Sequence, residues 1–279
     1  MSLVRKSLVC FVSLLSIKTI ITFAQPDDFV FKVCGQNETY TANSTYRRNL
    51  DTTLSILPTT NTGLGFFNHS TGQGINTVNS VALCRGDVEP DLCRSCLNDS
   101  IVKLREMCPN QKEAVGYYDH CLLTYSNKTV FEGGLIIVYN VQNASDEDSF
   151  YVAVKPLLND LIYNTSAGGS LQKFATGKTN ALNFTTIYGL MQCTPDLSRV
   201  QCYTCLDDAI NRFFSDIGRR IGGRLLQPKC NFRYDIYRFF NESTQVIPSP
   251  PSSPPSSGLT PPVSSPPQGT KKVIFFKQS

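Results

Sequence analysis

The chain has 279 residues, 41% of them hydrophobic and 17% charged, with a formal net charge of +4 and eleven cysteines. So small a charge gives no electrostatic footprint for nucleic acid. Two histidines and scattered carboxylates provide no catalytic or metal-ligand constellation, so neither a cofactor nor a metal is expected.

Residues 1–24 have the form of a secretory signal peptide. Arg5 and Lys6 precede an apolar run from Leu8 to Ile17, and Thr22 and Ala24 supply small residues before a cut near Gln25. Lys18 interrupts the run, which is too short to span a membrane. Loss of Arg5, Lys6 and Lys18 lowers the net charge from +4 to +1. Cys10 leaves with the leader, and ten cysteines remain for an oxidising compartment. Nine Asn-x-Ser/Thr triplets agree with secretion, at Asn37, Asn43, Asn68, Asn98, Asn127, Asn143, Asn164, Asn183 and Asn241.

Residues 27–131 form a first domain. Ser44 is placed to cap a helix carrying Leu50, Leu54 and Leu57. Pro90 and Asp91 open a second helix with Leu97, Ile101 and Leu104 on one face. Alternating runs at 114–118 and 121–125 predict strands. The β-branched run Leu135–Tyr139 is read as the last strand of this first domain, extending it to about residue 140.

A second domain occupies 141–243. Its first helix is predicted over Phe150–Tyr163, with Pro156 kinking it or delaying its start. The next starts near Asp196 and carries Leu206, Ile210, Phe213 and Phe214. Strands follow at 224–226 and 230–234. Two helices with antiparallel strands in each half predict an α+β class. Residues 247–270 are a Pro/Ser-rich, extended stalk without folded structure. The tail 271–279 begins like a stop-transfer segment and ends too soon to cross a membrane.

The strongest signal is an internal repeat. CRGDVEPDLCRSCL at 84–97 and CTPDLSRVQCYTCL at 193–206 share one cysteine pattern. A single offset of 109 superimposes Cys84, Cys93, Cys96 and Cys121 on Cys193, Cys202, Cys205 and Cys230. The chain is therefore a tandem duplication. If each set of four closes on itself, Cys34 and Cys108 are left to pair together. The same offset puts Asn143 and Ile217 at their positions, so the second domain lacks that bridge and about 3 kcal/mol of stabilisation. The register upstream of Cys193 is open to a shift. Redox or zinc roles for Cys-x2-Cys are disfavoured by the secretory context.

These motifs, with IYGLMQCTPDLS at 187–198, GGRLLQPKCNFRYD at 222–235 and the stalk, resemble plant cysteine-rich repeat secretory proteins. They also resemble the ectodomains of cysteine-rich receptor-like kinases. Both carry tandem salt-stress-response/antifungal domains, similar to ginkbilobin. The resemblance implies two helices on a five-stranded antiparallel sheet per domain. It further implies bridges Cys34–Cys108, Cys84–Cys93, Cys96–Cys121, Cys193–Cys202 and Cys205–Cys230. Ginkbilobin-like proteins hold mannose with an Asn, an Arg and an acid. Gly35, Val115 and Ser126 occupy those positions in the first domain. Arg224 and Asp235 supply two of the three in the second and are the candidate carbohydrate contacts, against a reading as an exposed ion pair between strands.

His69 lies in a sequon and His120 adjoins Cys121, so neither is read as catalytic. Phe232, Tyr234, Tyr237, Phe239 and Phe240 are read as core and inter-domain packing. The resulting expectation is a non-enzymatic, secreted recognition module of the apoplast, in defence or stress signalling, facing an extracellular protein or a cell-wall glycan. The alternatives are a truncated receptor ectodomain at the plasma membrane, or a mannose-binding antifungal lectin. The two domains are further expected to pack as a rigid pair that buries aromatic surface.

Overall fold

A computed structural model describes residues 28–36, 38–60, 65–128, 135–169, 172–181, 185–241 and 270–276. The leader, Asn37, Asn183 and stalk residues 247–269 lie outside the described residues.

The first unit has β1 (Phe29–Cys34), α1 (Thr45–Ile56), β2 (Phe66–Thr71), β3 (Val78–Cys84), α2 (Pro90–Met107), β4 (Ala114–Tyr118) and β5 (Cys121–Ser126). The second has β6 (Leu135–Asn140), α3 (Glu147–Ala167), β7 (Lys173–Asn180), β8 (Thr186–Cys193), α4 (Arg199–Ile217), β9 (Gly223–Leu226) and β10 (Cys230–Asp235). A last strand, β11 (Lys271–Phe276), joins the second sheet. Strand orders are β1-β4-β5-β3-β2 and β11-β6-β9-β10-β8-β7, antiparallel throughout.

Local chemistry sets the helix starts. The Ser44 hydroxyl accepts from the Arg47 N–H, as its cap position predicts. Pro90 opens α2 and Asp91 sits in its first turn. Ser198 and Gln201 close a reciprocal capping box, so α4 starts at Arg199 and not at Asp196. Pro156 neither delays nor ends α3, which runs from Glu147 to Ala167 with the proline inside. Pro156 and Val152 lie on the solvent side of the helix, so the carbonyl that the proline leaves without a donor is not buried in the core.

One further expectation needs correction. Leu135–Tyr139 is not the last strand of the first unit. β6 pairs with β9 and fills the place that β1 fills beside β4. The tail, read as beginning like a stop-transfer segment, forms a sheet strand along β6 over Lys271–Phe276.

Each sheet has two unlike faces. Helices pack on one, giving a first core around Tyr46, Leu50, Leu97, Leu104 and Tyr125. The second core surrounds Val154, Leu161, Leu206, Phe213, Phe232 and Tyr234. The opposite faces pack against each other through Leu83, Val115, Tyr117 and Leu122 from one unit and Ile136, Val138 and Leu226 from the other. The order of layers is helix, sheet, sheet, helix. The expected domain pairing is present, but its apolar contact is mostly aliphatic.

All five bridges implied by the resemblance form. Cα–Cα distances are 5.4 Å for Cys34–Cys108, 5.6 Å for Cys84–Cys93, 6.1 Å for Cys96–Cys121, 5.9 Å for Cys193–Cys202 and 6.2 Å for Cys205–Cys230.

Candidate functional site

The most strongly coupled polar group lies where the two sheets meet. β9 and β10 alternate, so Leu225, Phe232 and Tyr234 enter the helix-side core. Arg224, Arg233 and Asp235 fall at the intervening positions and face the first unit. The β4–β5 turn presents Asp119 from the other side.

Arg224 Nη1 donates to Asp119 Oδ1 at 2.5 Å, across 105 positions of sequence. Arg233 lies 3.8 Å from the same carboxylate and 3.6 Å from Asp235. Asn140 donates to Asp235 at 3.3 Å. Arg85 Nη1 donates to the Asp119 carbonyl at 3.1 Å and grips Asp87 with two bonds of 2.6 and 2.9 Å. The Phe239 ring covers the Arg233 guanidinium at 4.0 Å. Three arginines are thus matched to three carboxylates.

Burial by itself raises the Asp119 carboxyl, but Arg224 and then Arg233 outweigh it and hold the group at about 2. Burial lowers Arg233 to about 10, helped by Arg224 and opposed by Asp119 and Asp235. The Tyr117 phenol, beneath the pocket at this junction, is pushed up by burial.

Backbone contacts complete the seam. Gln192 Nε2 donates to the Cys84 carbonyl at 2.9 Å and Gln172 Nε2 to the Gly86 carbonyl at 3.2 Å. The Asn241 N–H donates to Asp87 at 2.9 Å. Gly86 must lack a side chain, because a Cβ there would lie 2.4 Å from Phe174 Cγ.

The candidate carbohydrate contacts Arg224 and Asp235 are not the exposed ion pair that the alternative reading expected. Arg224 is committed to Asp119, and Asp235, 4% exposed, is held by Arg233 and Asn140. Both face the seam between the sheets, and Arg224 lines the pocket there. Sequence reasoning found Arg224 and Asp235 but missed Asp119, Arg233, Arg85 and Asp87. One available signal was an arginine on each of two neighbouring strands, Arg224 and Arg233, on the face away from the core, which calls for a covering partner.

The missing-bridge position also moves. Cys34 faces Ala114 across β1–β4, and the equivalent pair across β6–β9 is Tyr139 and Gly223. Tyr139, not Asn143, stands where Cys34 stands. Ile217 keeps the place of Cys108 and is 8% exposed. Asn143 lies outside the sheet, bonded to Glu147 and Arg220. Arg220 stacks on Tyr139 at 5.4 Å, filling the space with an aromatic and a cation.

The other singled-out residues are dispersed. His120 pairs with Asp28 at 2.5 Å, and His69 lies on border strand β2. Phe232 and Tyr234 are core, Phe240 meets Tyr188 edge-on at 5.9 Å, and Tyr237 is exposed. Asn43, Asn68, Asn98, Asn143, Asn164 and Asn241 are exposed, whereas Asn127 is half-buried and donates to Glu38 at 2.8 Å. Among the described residues no group of three or more His, Cys, Asp or Glu is placed to hold a metal, and no helix is long and apolar enough to cross a membrane.

Comparison with known proteins agrees with this architecture. The salt stress response/antifungal domain matches residues 33–128 and 139–237. Cysteine-rich repeat secretory protein 38 of Arabidopsis thaliana is 38% identical over 234 residues, covering 82% of this chain and 92% of that protein. Cysteine-rich receptor-like protein kinase 8 of the same plant is 39% identical over 274 residues, covering 94% of this chain and 40% of the kinase. The chain thus spans well under half the length of that receptor kinase. The tandem DUF26 ectodomain of the A. thaliana cysteine-rich receptor-like protein PDLP8 superimposes with a TM-score of 0.66 at 22% identity, over 75% of this chain and 98% of that one. That of PDLP5 gives 0.59 at 28% identity, over 74% and 98%. With both copies matched and the fold shared, this chain belongs to the salt stress response/antifungal family as a tandem of two domains.

Proposed function

We propose that the chain is a non-enzymatic extracellular recognition module, acting in the apoplast in defence or stress signalling and binding an extracellular protein or a cell-wall glycan. The observation that carries this reading is the sheet-to-sheet fusion. It directs all four helices outward and joins two small domains into one body with a composite surface. The bridges at all ten described cysteines suit an oxidising compartment and leave none of them as a nucleophile.

A second reading, an ectodomain of the receptor-kinase type, draws on the alignment of 94% of this chain to 40% of such a kinase. Fractionation of tagged protein in plant tissue tests both. Recovery in apoplastic washing fluid supports the secreted module. Retention with plasma membrane supports the receptor reading. Recovery in the cytosol contradicts both.

A further inference from the structure

A strand at the border of a sheet exposes unpaired N–H and C=O groups, and proteins blunt such borders with charge, bulges or polar residues. Three of the four borders here are blunted. β1 carries Lys32 and a register irregularity between Phe29 and Phe31. β2 carries Asn68 and His69. β7 carries Lys173, Gly177 and Lys178.

β6 has neither charge nor bulge, and its one polar side chain, Asn140, stands at its end. Its sequence is Leu-Ile-Ile-Val-Tyr-Asn, without charge, proline or bulge. It is also the border that another strand covers. β11 runs antiparallel along all six residues, from Lys271 opposite Asn140 to Phe276 opposite Leu135. Asn140 donates its N–H to Gly222 on the β9 side, and Val141 donates to Thr270 on the β11 side. By alternation the Ile137 and Tyr139 amides point at β11. Ile274 packs onto the helix-side core. Residues 242–269 separate β11 from the rest of its sheet. A connection of that length holds the strand at an effective concentration on the order of millimolar, within reach of a competitor.

We propose that the border of β6 is a strand-acceptor site for an extended, proline-free apolar segment of a partner protein, filled here by the chain's own Lys271–Phe276 and exchangeable for such a segment. The site stands apart from the Asp119–Arg224 seam and does not rest on the functional reading above.

Hydrogen exchange on the chain tests this, with an acetylated peptide of sequence TKKVIFFK as probe. In the native chain the Ile137 and Tyr139 amides should be protected. Ile274→Pro, which removes the N–H facing Ile137, should speed their exchange by about tenfold or more. Phe232 and Tyr234 amides in β10 should be unchanged, which shows that the variant is folded. Added peptide should bind the variant saturably and restore protection, and a peptide with proline at the fifth position, the place of Ile274, should not. Should Ile274→Pro disturb β10, Ile274→Lys keeps the backbone donor and weakens only the apolar seat, and the same peptide arms apply. Equal exchange at Ile137 and Tyr139 in the native chain and a folded variant would overturn the proposal. So would failure of the peptide to bind a folded variant.

Discussion

The two units share a fold but differ in how the first strand is tied to its neighbours. In the first, Cys34 on β1 is bonded to Cys108 at the end of α2. In the second, Tyr139 and Ile217 occupy those places, with Arg220 stacked on the tyrosine. The second unit has other supports instead. α3 has 21 residues where α1 has 12, and Phe213 meets Phe214, Phe232 and Tyr234 at 5.4–5.8 Å. β11 adds a strand. One unit relies on a covalent staple and the other on helix length and aromatic packing. A bridge can be lost from a duplicated domain when apolar contact replaces it.

The largest test removes the staple. Replacing Cys34 and Cys108 by alanine should destabilise the first unit by about 3 kcal/mol, the typical worth of such a bridge. Site-resolved hydrogen exchange should show the loss in β1 and α2 and not in β8 or β10. A uniform loss over both units would mean that they unfold together and that the contrast carries no energetic weight.

The reciprocal change sharpens the comparison. Tyr139→Cys with Ile217→Cys should cross-link and raise stability by up to about 3 kcal/mol, less the cost of the lost ring. Asn143→Cys with Ile217→Cys should leave two titratable thiols. Mass spectrometry separates the outcomes, and cross-linking of the second pair would reverse the register assignment.

The seam itself should be sensitive to single changes. Asp119→Ala leaves Arg224, 12% exposed, without its partner, and should cost about 2 kcal/mol in urea unfolding. Arg224→Leu with Asp119→Leu should recover part of that loss, because the surrounding contact is aliphatic. Gly86→Ala should cost about 1 kcal/mol through its clash with Phe174.

The smallest effect is one of pH. Asp119 sits at about 2 in the folded chain, below the ordinary 3.8. Its contribution is therefore complete above about 4 and lost as pH falls through about 2. With a third of its side chain exposed, screening reduces the contribution to roughly 1 kcal/mol. Asp119→Asn should flatten that part of the stability curve. An unchanged slope between pH 4 and 2 would remove Asp119 from the seam's energetics.

The repeat was legible in the sequence because cysteine spacing is discrete, and the Ser44 cap and Pro90 start were legible because they are local. β6 was assigned to the wrong unit because its apolar run states only that it is a strand. Its partner β9 lies more than eighty positions away. The shift from Asn143 to Tyr139 arose because Cys34 and Cys84 are 50 positions apart, whereas Tyr139 and Cys193 are 54 apart, with the longer helix between them. Arg224 is singled out in the sequence only through the resemblance, as a candidate sugar contact; its partner Asp119 belongs to the other copy, and no local pattern joins them.

The contacts of Arg224 and Arg233 with Asp119 should hold the two sheets as one rigid body. Residual dipolar couplings measured on the folded protein test this most directly. Backbone couplings from β3–β5 and from β8–β10 should fit one common alignment tensor with the two units oriented as described. Two tensors of different magnitude would show units that move independently, and would contradict the account.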